Sequence, residues 1–455
     1  MKSVLLRCQF AGVLAVGTFW APSVAAQEHK AQAVQYTVTD LGVLHGANPG
    51  PLVIKNNGLI AESVAVPNAW HAAISFLGTQ IDLAKSGGLG GPNSSAFGVN
   101  ERGQAVGEAE TADLDANLED FCAFGTRRVC QPFIWQNGVM SPLPLLKDTN
   151  GLAGRNAGAK GINIRGQVAG VAENTTPDST CPAYDPTSFQ YQKDQFKPVI
   201  WTQGNIQELL TSGIDSKGNA FNDPDGVAFR INDRGEAVGA TGTCTGFTQF
   251  SYLNGLHATA WRNGSVIDLG NLGGTAPPPP GLGNIGSIAY DINRWGHVVG
   301  TSAASDGSYH AFFWSPETLI QDVGTIPGDA ASVGLSISDV GDIGGVSFPA
   351  NPNVSPRAFI RPDGGKMVDL NTLVTGNTDL YLFTTCSINS RGEIIGLAFD
   401  PQGNFHGYLA SPSDGSGDSS DAFSAADRSS RFEYAWKVVR QRTAWGSTQL
   451  LSPLN

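Results

Sequence analysis

The sequence predicts an all-β fold built from seven copies of one four-stranded unit. A motif of Ile-Asn, two variable residues, Gly and an apolar pair recurs along the chain, and apolar runs of four to seven residues bounded by Asn or Gly separate its copies. Such runs are too short for helices and are typical of strands. Closed arrays of these units are β-propellers. We therefore expect a seven-bladed β-propeller of four-stranded antiparallel blades.

The first hairpin of each unit contains an Asn-x-x-Gly turn or a weaker copy of it. Asn can bond its own backbone and Gly can take positive φ, so the pattern suits a tight turn. The turn glycines are Gly58, Gly103, Gly166, Gly235, Gly296, Gly341 and Gly392. Their spacing, from 45 to 69 residues, suits one blade per unit.

The second half of each unit usually carries a Trp and then an Asp-Leu-Gly-like strand. The clearest copy runs from His257 through Trp261 to Gly270. We expect the tryptophans to pack between blades, the aspartates to bond turn backbone, and the second-strand glycines to allow close approach of neighbouring blades. These sets are Trp135, Trp201, Trp261 and Trp314; Asp40, Asp82, Asp268, Asp322 and Asp369; and Gly107, Gly170, Gly239, Gly300 and Gly396.

The two ends of the array complement each other. The last unit begins at Phe383 and shows only three strands, whereas Tyr36–Gly42 reads as a fourth strand with no first three. The N-terminal strand is therefore expected to close the last blade, which removes the open sheet edges of an unclosed array.

The His-Ala-Phe segment at His310, the Asn-x-x-Gly turns and the Asp-Leu-Gly strands resemble the HAF-family extracellular repeat of bacterial proteins. The resemblance covers roughly Tyr36 to Ser411 and implies an exported, repeat-built protein, but no particular reaction. The first and sixth units depart from the pattern, because neither has a Trp at the usual position of the third strand.

The chain ends differ in composition from the repeats. Residues 1–26 have the basic start, apolar run and small-residue cleavage site of a signal peptide, so we expect a secreted or periplasmic protein. The propeller is assigned to 27–410, a flexible Ser-, Asp- and Gly-rich linker to 411–430, and a tail to 431–455 that is either a short helix or without fixed structure. After the signal peptide no apolar run is long enough for a membrane span.

The net charge of the chain argues against one class of binding partner. The net charge is -12 and charged residues are only 15% of the chain. Nucleic acids are bound by clustered Lys and Arg that neutralise phosphates, so we expect no nucleic-acid partner. We expect a monomer.

Cysteines outside the signal peptide predict structural disulfides, which export permits. The preferred pairs are Cys122 with Cys130 and Cys181 with Cys244. Cys386 lies in an expected strand and is interpreted as a buried free thiol. The cysteines and histidines lack ligand spacing, so we expect no metal site and no cofactor.

Long insertions interrupt the repeat on one face, where strands two and three and successive blades are joined. Insertions gathered on one face usually mark the binding face. The candidate ligand-binding residues there are Tyr184, Phe189, Tyr191, Phe247, Phe250, Tyr252, Asp113, Asp115, Glu119 and Asp120. Aromatic residues beside carboxylates suit a carbohydrate or peptide, although the same aromatics could simply pack the loops together.

Two functions remain open. The first is a non-catalytic binding or scaffold propeller that recognises a polysaccharide or a protein through the long loops. The alternative is a propeller-fold polysaccharide lyase or glycoside hydrolase with paired carboxylates from different blades. We assign no catalytic residue, since neither a Gly-x-Ser-x-Gly nor a His-Glu-x-x-His motif occurs.

Overall fold

The computed structural model describes residues 34–43, 52–76, 78–181, 192–248, 251–274, 286–351 and 354–413. These residues lie in one compact unit of the chain. The expected signal peptide, the tail and all but the first residues of the expected linker lie outside the described residues. Within the described ranges, no helix is long and apolar enough to cross a membrane.

Strands make up nearly all of the regular structure, and the described residues contain no α-helix. The first strands are β1 (Gln35–Val43), β2 (Val53–Ile54), β3 (Ile60–Val66), β4 (Ala69–Phe76), β5 (Thr79–Asp82), β6 (Gly90–Val99), β7 (Ala105–Leu114), β8 (Arg128–Gln136), β9 (Val139–Pro142), β10 (Ala157–Ile162), β11 (Val168–Pro177), β12 (Asp194–Thr202) and β13 (Asn205–Glu208). The next are β14 (Ser212–Ile214), β15 (Ala220–Asn222), β16 (Asp225–Ile231), β17 (Ala237–Thr248), β18 (Ser251–Arg262), β19 (Ser265–Asp268), β20 (Ser287–Ile292), β21 (Val298–Ala303), β22 (Tyr309–Ser315) and β23 (Leu319–Gly324). The last are β24 (Asp329–Ile337), β25 (Ile343–Pro349), β26 (Arg357–Arg361), β27 (Val368–Asp369), the 3₁₀ helix Leu370–Leu373, β28 (Val374–Thr375), β29 (Tyr381–Ile388), β30 (Ile394–Phe399) and β31 (Phe405–Ser413).

The strands form a β-propeller arrangement of antiparallel sheets. Four sheets contain four consecutive strands each, namely β2 to β5, β6 to β9, β10 to β13 and β16 to β19, and a fifth has the order β28-β1-β31-β30-β29. Strands β20 to β27 form one eight-stranded sheet, in which two four-stranded runs are joined by the parallel pair Tyr309↔Ala331. The described residues thus contain five separate blade-sized sheets, whereas the repeat predicts seven, and the difference lies in the eight-stranded sheet.

The N-terminal strand closes the last sheet, as the two chain ends predict. Strand β1 pairs antiparallel with β31 from Gln35↔Ser413 to Val43↔His406. Strand β31 extends through Ser413 and so includes the first residues of the segment that the sequence predicts as a linker. The first and last strands of the described chain therefore share one hydrogen-bonded ladder.

A β-bulge recurs at one place in the first strand of six repeats. In β6, Ala96 pairs with Gly107 and Gly98 with Val106, so Phe97 has no partner on β7. The equivalent unpaired residues are Lys160, Phe229, Tyr290, Leu335 and Cys386. A bulge breaks the alternation of side chains and redirects one of them. Each of these six strands therefore presents one extra side chain away from its own sheet.

The second-strand glycines face the first strand of their own sheet. A Cβ at Gly300 would lie 1.9 Å from the carbonyl oxygen of Ile288, next to the bulge at Tyr290. The same clash, at 1.8 to 2.2 Å, recurs at Gly107, Gly170, Gly239 and Gly396. The bulged first strand of the same sheet therefore takes the space that a side chain would need at these glycines. The Gly300 carbonyl oxygen also lies 3.1 Å from the Cβ position of Gly334 in the next repeat, and a role of the whole set in contact between neighbouring blades stays a prediction.

The recurring tryptophans join neighbouring sheets. Trp135, Trp201, Trp261 and Trp314 are 1 to 5% exposed. The indole nitrogen of Trp201 donates to the carbonyl oxygen of Pro144 over 2.7 Å, and that of Trp261 to Leu210 over 2.8 Å. Both acceptors follow the last strand of the preceding sheet. The prediction that these residues form core between blades is confirmed.

Candidate binding site

Asparagine side chains tie the first hairpins of successive sheets into a circuit. The Asn100 side-chain oxygen accepts the backbone N–H groups of Arg102 and Gln104, both at 3.0 Å, which shapes the turn as predicted. Its side-chain nitrogen donates over 3.0 Å to the carbonyl oxygen of Asn163 in the next sheet. Equivalent bonds link Asn163 to Asn232, Asn232 to Asn293, Asn293 to Ser338, and Asn389 to Lys55.

A second row of bonds runs beside the first, one residue further along each turn. The N–H of Ile164 donates to Asp233, that of Arg294 to Asp339 and that of Ser390 to Asn56, over 2.7 to 3.0 Å. Each bond again joins a residue to the next repeat. The Ser390 hydroxyl donates to Asp339 over 2.9 Å, and the Asn57 side-chain nitrogen donates to the Glu101 carbonyl oxygen over 3.2 Å. With these two links the turns form a continuous hydrogen-bonded rim.

This rim surrounds a cavity of about 300 Å³, which we call the axial cavity. First strands or first turns from all seven repeats line it, which explains why no single repeat reveals it. The charged residues in its lining are Lys55, Glu101, Arg230, Asp233, Asp291, Arg294 and Asp339. It is therefore a polar site assembled by the closure of the ring.

Three charged groups in the cavity wall interact without forming a close ion pair. The Lys55 ammonium has neither a hydrogen bond nor an ion pair within the described part of the chain. Burial lowers the pKa values of Lys55 and Arg230, and it raises that of Asp291, while the charge of Asp291 acts in the opposite sense on both cations. The two carboxylate oxygens of Asp291 accept backbone N–H groups.

Cys386 is a free thiol, as predicted, but it is half-buried and lies in the lining of the axial cavity. Burial raises its pKa to about 11. A thiol must ionise to act as a nucleophile. Cys386 is therefore an unreactive wall residue at neutral pH.

Two disulfides fix the long loops, and both have the predicted pairing. Cys122, in the loop between β7 and β8, bonds Cys130 in β8, with Cα atoms 5.5 Å apart. Cys181 bonds Cys244 across 63 residues and so links the loop after β11 to strand β17 of the next sheet. Both described clusters with metal-ligand spacing contain these bonded cysteines, whose sulfurs are already joined to each other.

Asn156 gathers the carboxylates of these loops. Its side-chain nitrogen lies within 3.0 to 3.3 Å of oxygens of Asp115, Glu119 and Glu173. Its side-chain oxygen accepts the Cys130 N–H over 2.8 Å. Burial raises the pKa of Glu119 to about 7, and burial together with the charge of Glu119 raises the pKa of Glu173 well above its ordinary value. Through Asn156, the carboxylates of Asp115 and Glu119 in the loop after β7 are thus connected to Glu173 in the next sheet.

These contacts correct part of the predicted ligand-binding set. Asp115, Glu119 and Asp120 are 0 to 7% exposed and bond the protein itself, so they are loop-organising residues. Asp113 is exposed at the end of β7. Tyr184, Phe189, Tyr191 and Phe250 lie outside the described residues, and Phe247 and Tyr252 lie in β17 and β18.

A second pair of carboxyl groups lies near the Cys181–Cys244 bond. Asp225 is fully buried, and one of its oxygens accepts the Phe196 N–H over 3.0 Å. Burial, reinforced by the hydrogen bond and charge of Asp178, raises the pKa of Asp225 to about 9. Asp225 therefore keeps its proton to a higher pH than an ordinary carboxyl group.

The aspartates of the fourth strands cap their own turns. Asp82 accepts the Ala84 N–H over 2.8 Å, and Asp40, Asp268, Asp322 and Asp369 make the same bond two residues on. The prediction for these residues is confirmed. Three of them also bind a third-strand histidine, as in His71–Asp82, His310–Asp322 and His406–Asp40. His257 instead binds Asp223, because the inserted hairpin β14–β15 packs against its ring through Phe221.

The cavity residues escaped the sequence prediction because each breaks the repeat singly. Lys55 stands where five other repeats have Asn, and Arg230 and Asp291 stand where four other repeats have Gly or Ser. A charge at a consensus Gly or Ser position next to a strand bulge was the available signal. Such a charge can be recognised as part of a cavity only after the closed ring brings the first strands of different repeats together.

Comparisons with known proteins leave the family open. No protein-family model matches the sequence, and no curated protein matches it. Among solved structures, the chain is similar to the acylaminoacyl peptidase of Pyrococcus horikoshii (TM-score 0.39, 11% identity, 80% of this chain and 51% of that one). It is also similar to the β-propeller domain of the Trilobed protease from Pyrococcus furiosus (0.30, 11%, 71% and 98%) and to TolB from Acinetobacter baumannii (0.28, 12%, 78% and 79%). The chain spans about half of the peptidase, and matches this distant say nothing about its activity.

Proposed function

We propose that this chain is an exported, non-catalytic binding propeller of the HAF-repeat kind, which recognises a polysaccharide or a protein through the long loops of one face. The observation that carries the proposal is the fixed shape of the loop between β7 and β8. The Cys122–Cys130 bond and the buried contacts of Asn156 hold its base. A loop ordered before binding loses less conformational freedom when it binds.

The proposal includes seven blades. The two halves of the eight-stranded sheet, β20 to β23 and β24 to β27, each have the strand order of a complete repeat. A single parallel pair joins them. Counting the halves separately gives one blade for each turn glycine of the sequence.

Exposed apolar side chains on the loop favour a protein over a polysaccharide. Leu114 is 65% exposed and Leu118 is 42% exposed. Leu118 has φ of 63°, a conformation that costs free energy in a residue other than glycine. The buried Asp115 accepts two N–H groups of this turn and holds it. Both leucines are thus exposed, and Leu114 directly follows the exposed Asp113.

No comparable observation supports the alternative of a propeller-fold polysaccharide lyase or glycoside hydrolase. A glycosidase needs two carboxyl groups that reach one sugar. Glu119, Glu173 and Asp225 have the raised pKa values that a general acid requires, but all three are 0 to 1% exposed. Their position suits the ordering of loops better than contact with substrate.

The test is to incubate the full exported chain with a panel of polysaccharides and, separately, to use it as bait for proteins of its own cell envelope and medium. Retention and released reducing ends or unsaturated products are measured in the same wells. We expect retention of one partner without product. Leu114→Ser with Leu118→Ser should weaken that retention at least tenfold, whereas Val139→Ser, which changes an exposed valine on a short hairpin, should not. Product release, or equal retention by both variants, would contradict the proposal.

A further inference from the structure

The axial cavity and the long loops lie at opposite ends of the strands. Strand β7 begins beside the turn at Asn100, in the cavity rim, and ends at Leu114 in the long loop. Ten residues of strand span about 33 Å. A ligand in the cavity would therefore not touch the surface assigned above, so the cavity is a second site that can be tested by itself.

The charges in the cavity wall compensate one another. Burial lowers the pKa of Lys55, and the charges of nearby acids raise it again, namely those of Asp291, Asp233 and Glu101. The charge of Asp291 also raises the pKa of Arg230, which burial lowers. An ion of either sign would disturb this balance and would lose its hydration on entering. The wall therefore favours a neutral ligand.

The wall still offers hydrogen-bonding groups of both kinds. Within the described residues, the Lys55 ammonium, the Asn56 side-chain nitrogen and the Ser387 hydroxyl donate no hydrogen bond. In the same part of the chain, the Glu101 carboxylate and the second carboxylate oxygen of Asp233 accept none. A hydroxyl group can both donate and accept. A neutral molecule with several hydroxyl groups can therefore use these donors and acceptors together.

The floor of the cavity is apolar. The first strands run toward the rim turns, so the lining residue that comes first in each strand lies deepest. In the second, sixth and seventh repeats these residues are Phe97, Leu335 and Cys386, each of which is the unpaired residue of a bulge. Leu335 packs against a buried hydrophobic cluster, so the protein core lies beneath it. The bulges thus place apolar side chains below polar walls.

We propose that the axial cavity binds one neutral sugar ring. A pyranose carries hydroxyl groups around its edge and C–H groups on its faces, so it can bond the walls while one face lies against Phe97 and Leu335. The cavity volume of about 300 Å³ is at the lower end of ligand pockets, which suits a single ring. An acyclic polyol lacks a fixed apolar face, and a sugar acid or an amino sugar adds a charge.

The experiment measures binding of monosaccharides to the full chain by calorimetry. The panel contains glucose, galactose and mannose, each with its uronic acid, its 2-amino sugar and its alditol. We expect at least one neutral sugar to bind. We expect its three relatives to bind at least tenfold more weakly, since two of them disturb the charge balance of the wall and the third has no ring to place on the floor.

Substitutions in the wall locate the bound sugar. Glu101→Ala removes an exposed acceptor, and Ser387→Ala removes a hydroxyl group from the wall. We expect the double variant to bind the sugar at least tenfold more weakly than the parent chain, and Glu101→Ala alone at least threefold more weakly. Glu317→Ala changes an exposed acid on a hairpin outside the lining and should bind as the parent does. The Tm of each variant checks that the fold is kept.

Three results would overturn the proposal. The first is that no neutral sugar of the panel binds, and the second is that a charged or acyclic relative binds as tightly as the neutral sugar. The third is unchanged affinity in the wall variants, which Glu101→Ala decides alone if the double variant fails to fold. Leu114→Ser with Leu118→Ser should leave the sugar affinity unchanged, so the binding proposed for the long loops and the binding in the cavity can fail separately.

Discussion

The side-chain nitrogen of Asn163 donates over 2.9 Å to the carbonyl oxygen of Asn232, a residue 69 positions further along the chain. The side-chain oxygen of Asn163 meanwhile accepts the N–H groups of Arg165 and Gln167 in its own turn. One amide thus shapes a hairpin and joins two sheets. A mutation can therefore remove the donor bond between sheets and keep the acceptor bonds of the turn.

Asn163→Asp should destabilise the fold while leaving the turn intact. The carboxylate keeps both acceptor bonds but replaces the donor with a charge facing a carbonyl oxygen. An unsatisfied buried group costs about 1 to 3 kcal/mol, and we expect a loss of that size in the free energy of unfolding, measured in urea. Asn174→Asp is the control, because the Asn174 oxygen accepts the Thr176 N–H at the exposed end of β11. Equal losses in both variants would mean that the bond between sheets contributes nothing.

Asp225→Asn should stabilise the protein at alkaline pH. Since the folded pKa of Asp225 is raised from 3.8 to about 9, its contribution is fully present below pH 4 and is lost as pH rises toward 9. Asn imitates the protonated acid and does not titrate. We expect a gain on the order of 1 to 3 kcal/mol at pH 8 and none at pH 4, from unfolding curves at both pH values. The exposed Asp113→Asn should show no such dependence; if the two variants behave alike, Asp225 is not the group responsible.

The two disulfides should contribute unequally. Cys181–Cys244 closes a separation of 63 residues and Cys122–Cys130 one of 8. The loop-entropy relation gives about 4 kcal/mol for the longer and about 2.5 kcal/mol for the shorter. We expect Cys181→Ser with Cys244→Ser to lower Tm more than Cys122→Ser with Cys130→Ser. The opposite order would show that the contacts around Asn156 depend on the shorter bond.

Gly300→Ala should be among the most damaging single substitutions. The new Cβ would lie 1.9 Å from the Ile288 carbonyl oxygen and 2.7 Å from the ring of Phe312. Both neighbours belong to the packed centre of one sheet, so we expect a loss of about 3 kcal/mol or more. Gly98→Ala is the matched control, since its nearest neighbour is a Val106 methyl group at 3.3 Å. Chemical unfolding of both variants measures the difference, and similar stabilities would refute the role given to the bulge.

The sequence repeat predicted those features of the fold that depend on nearby or regularly spaced residues. Strand positions, the closing strand β1, the core tryptophans and the turn-capping aspartates follow from residues close in sequence or in phase with the period. The second bond of Asn163 does not, because its acceptor is 69 residues away. The same holds for the axial cavity, whose wall takes four or five residues from each repeat.

The acidic residues of the long loops show a second limit of prediction from sequence. Asp115 and Glu119 were natural candidates for a ligand, since carboxylates in long loops are usually exposed. Asn156, from the start of the next sheet, covers them together with Glu173. A buried acid looks the same as an exposed one in sequence, and only the neighbouring sheet distinguishes them.

The pairing of β1 with β31 imposes an order on biogenesis. Gln35 and Ser413 are partners in one ladder, so the strand that leaves the ribosome first must wait for the strand that leaves last. Until then β1 lacks its antiparallel partner, and an unpaired strand can recruit a foreign strand. A chain that folds as it is synthesised would therefore leave this ladder open until β31 has emerged.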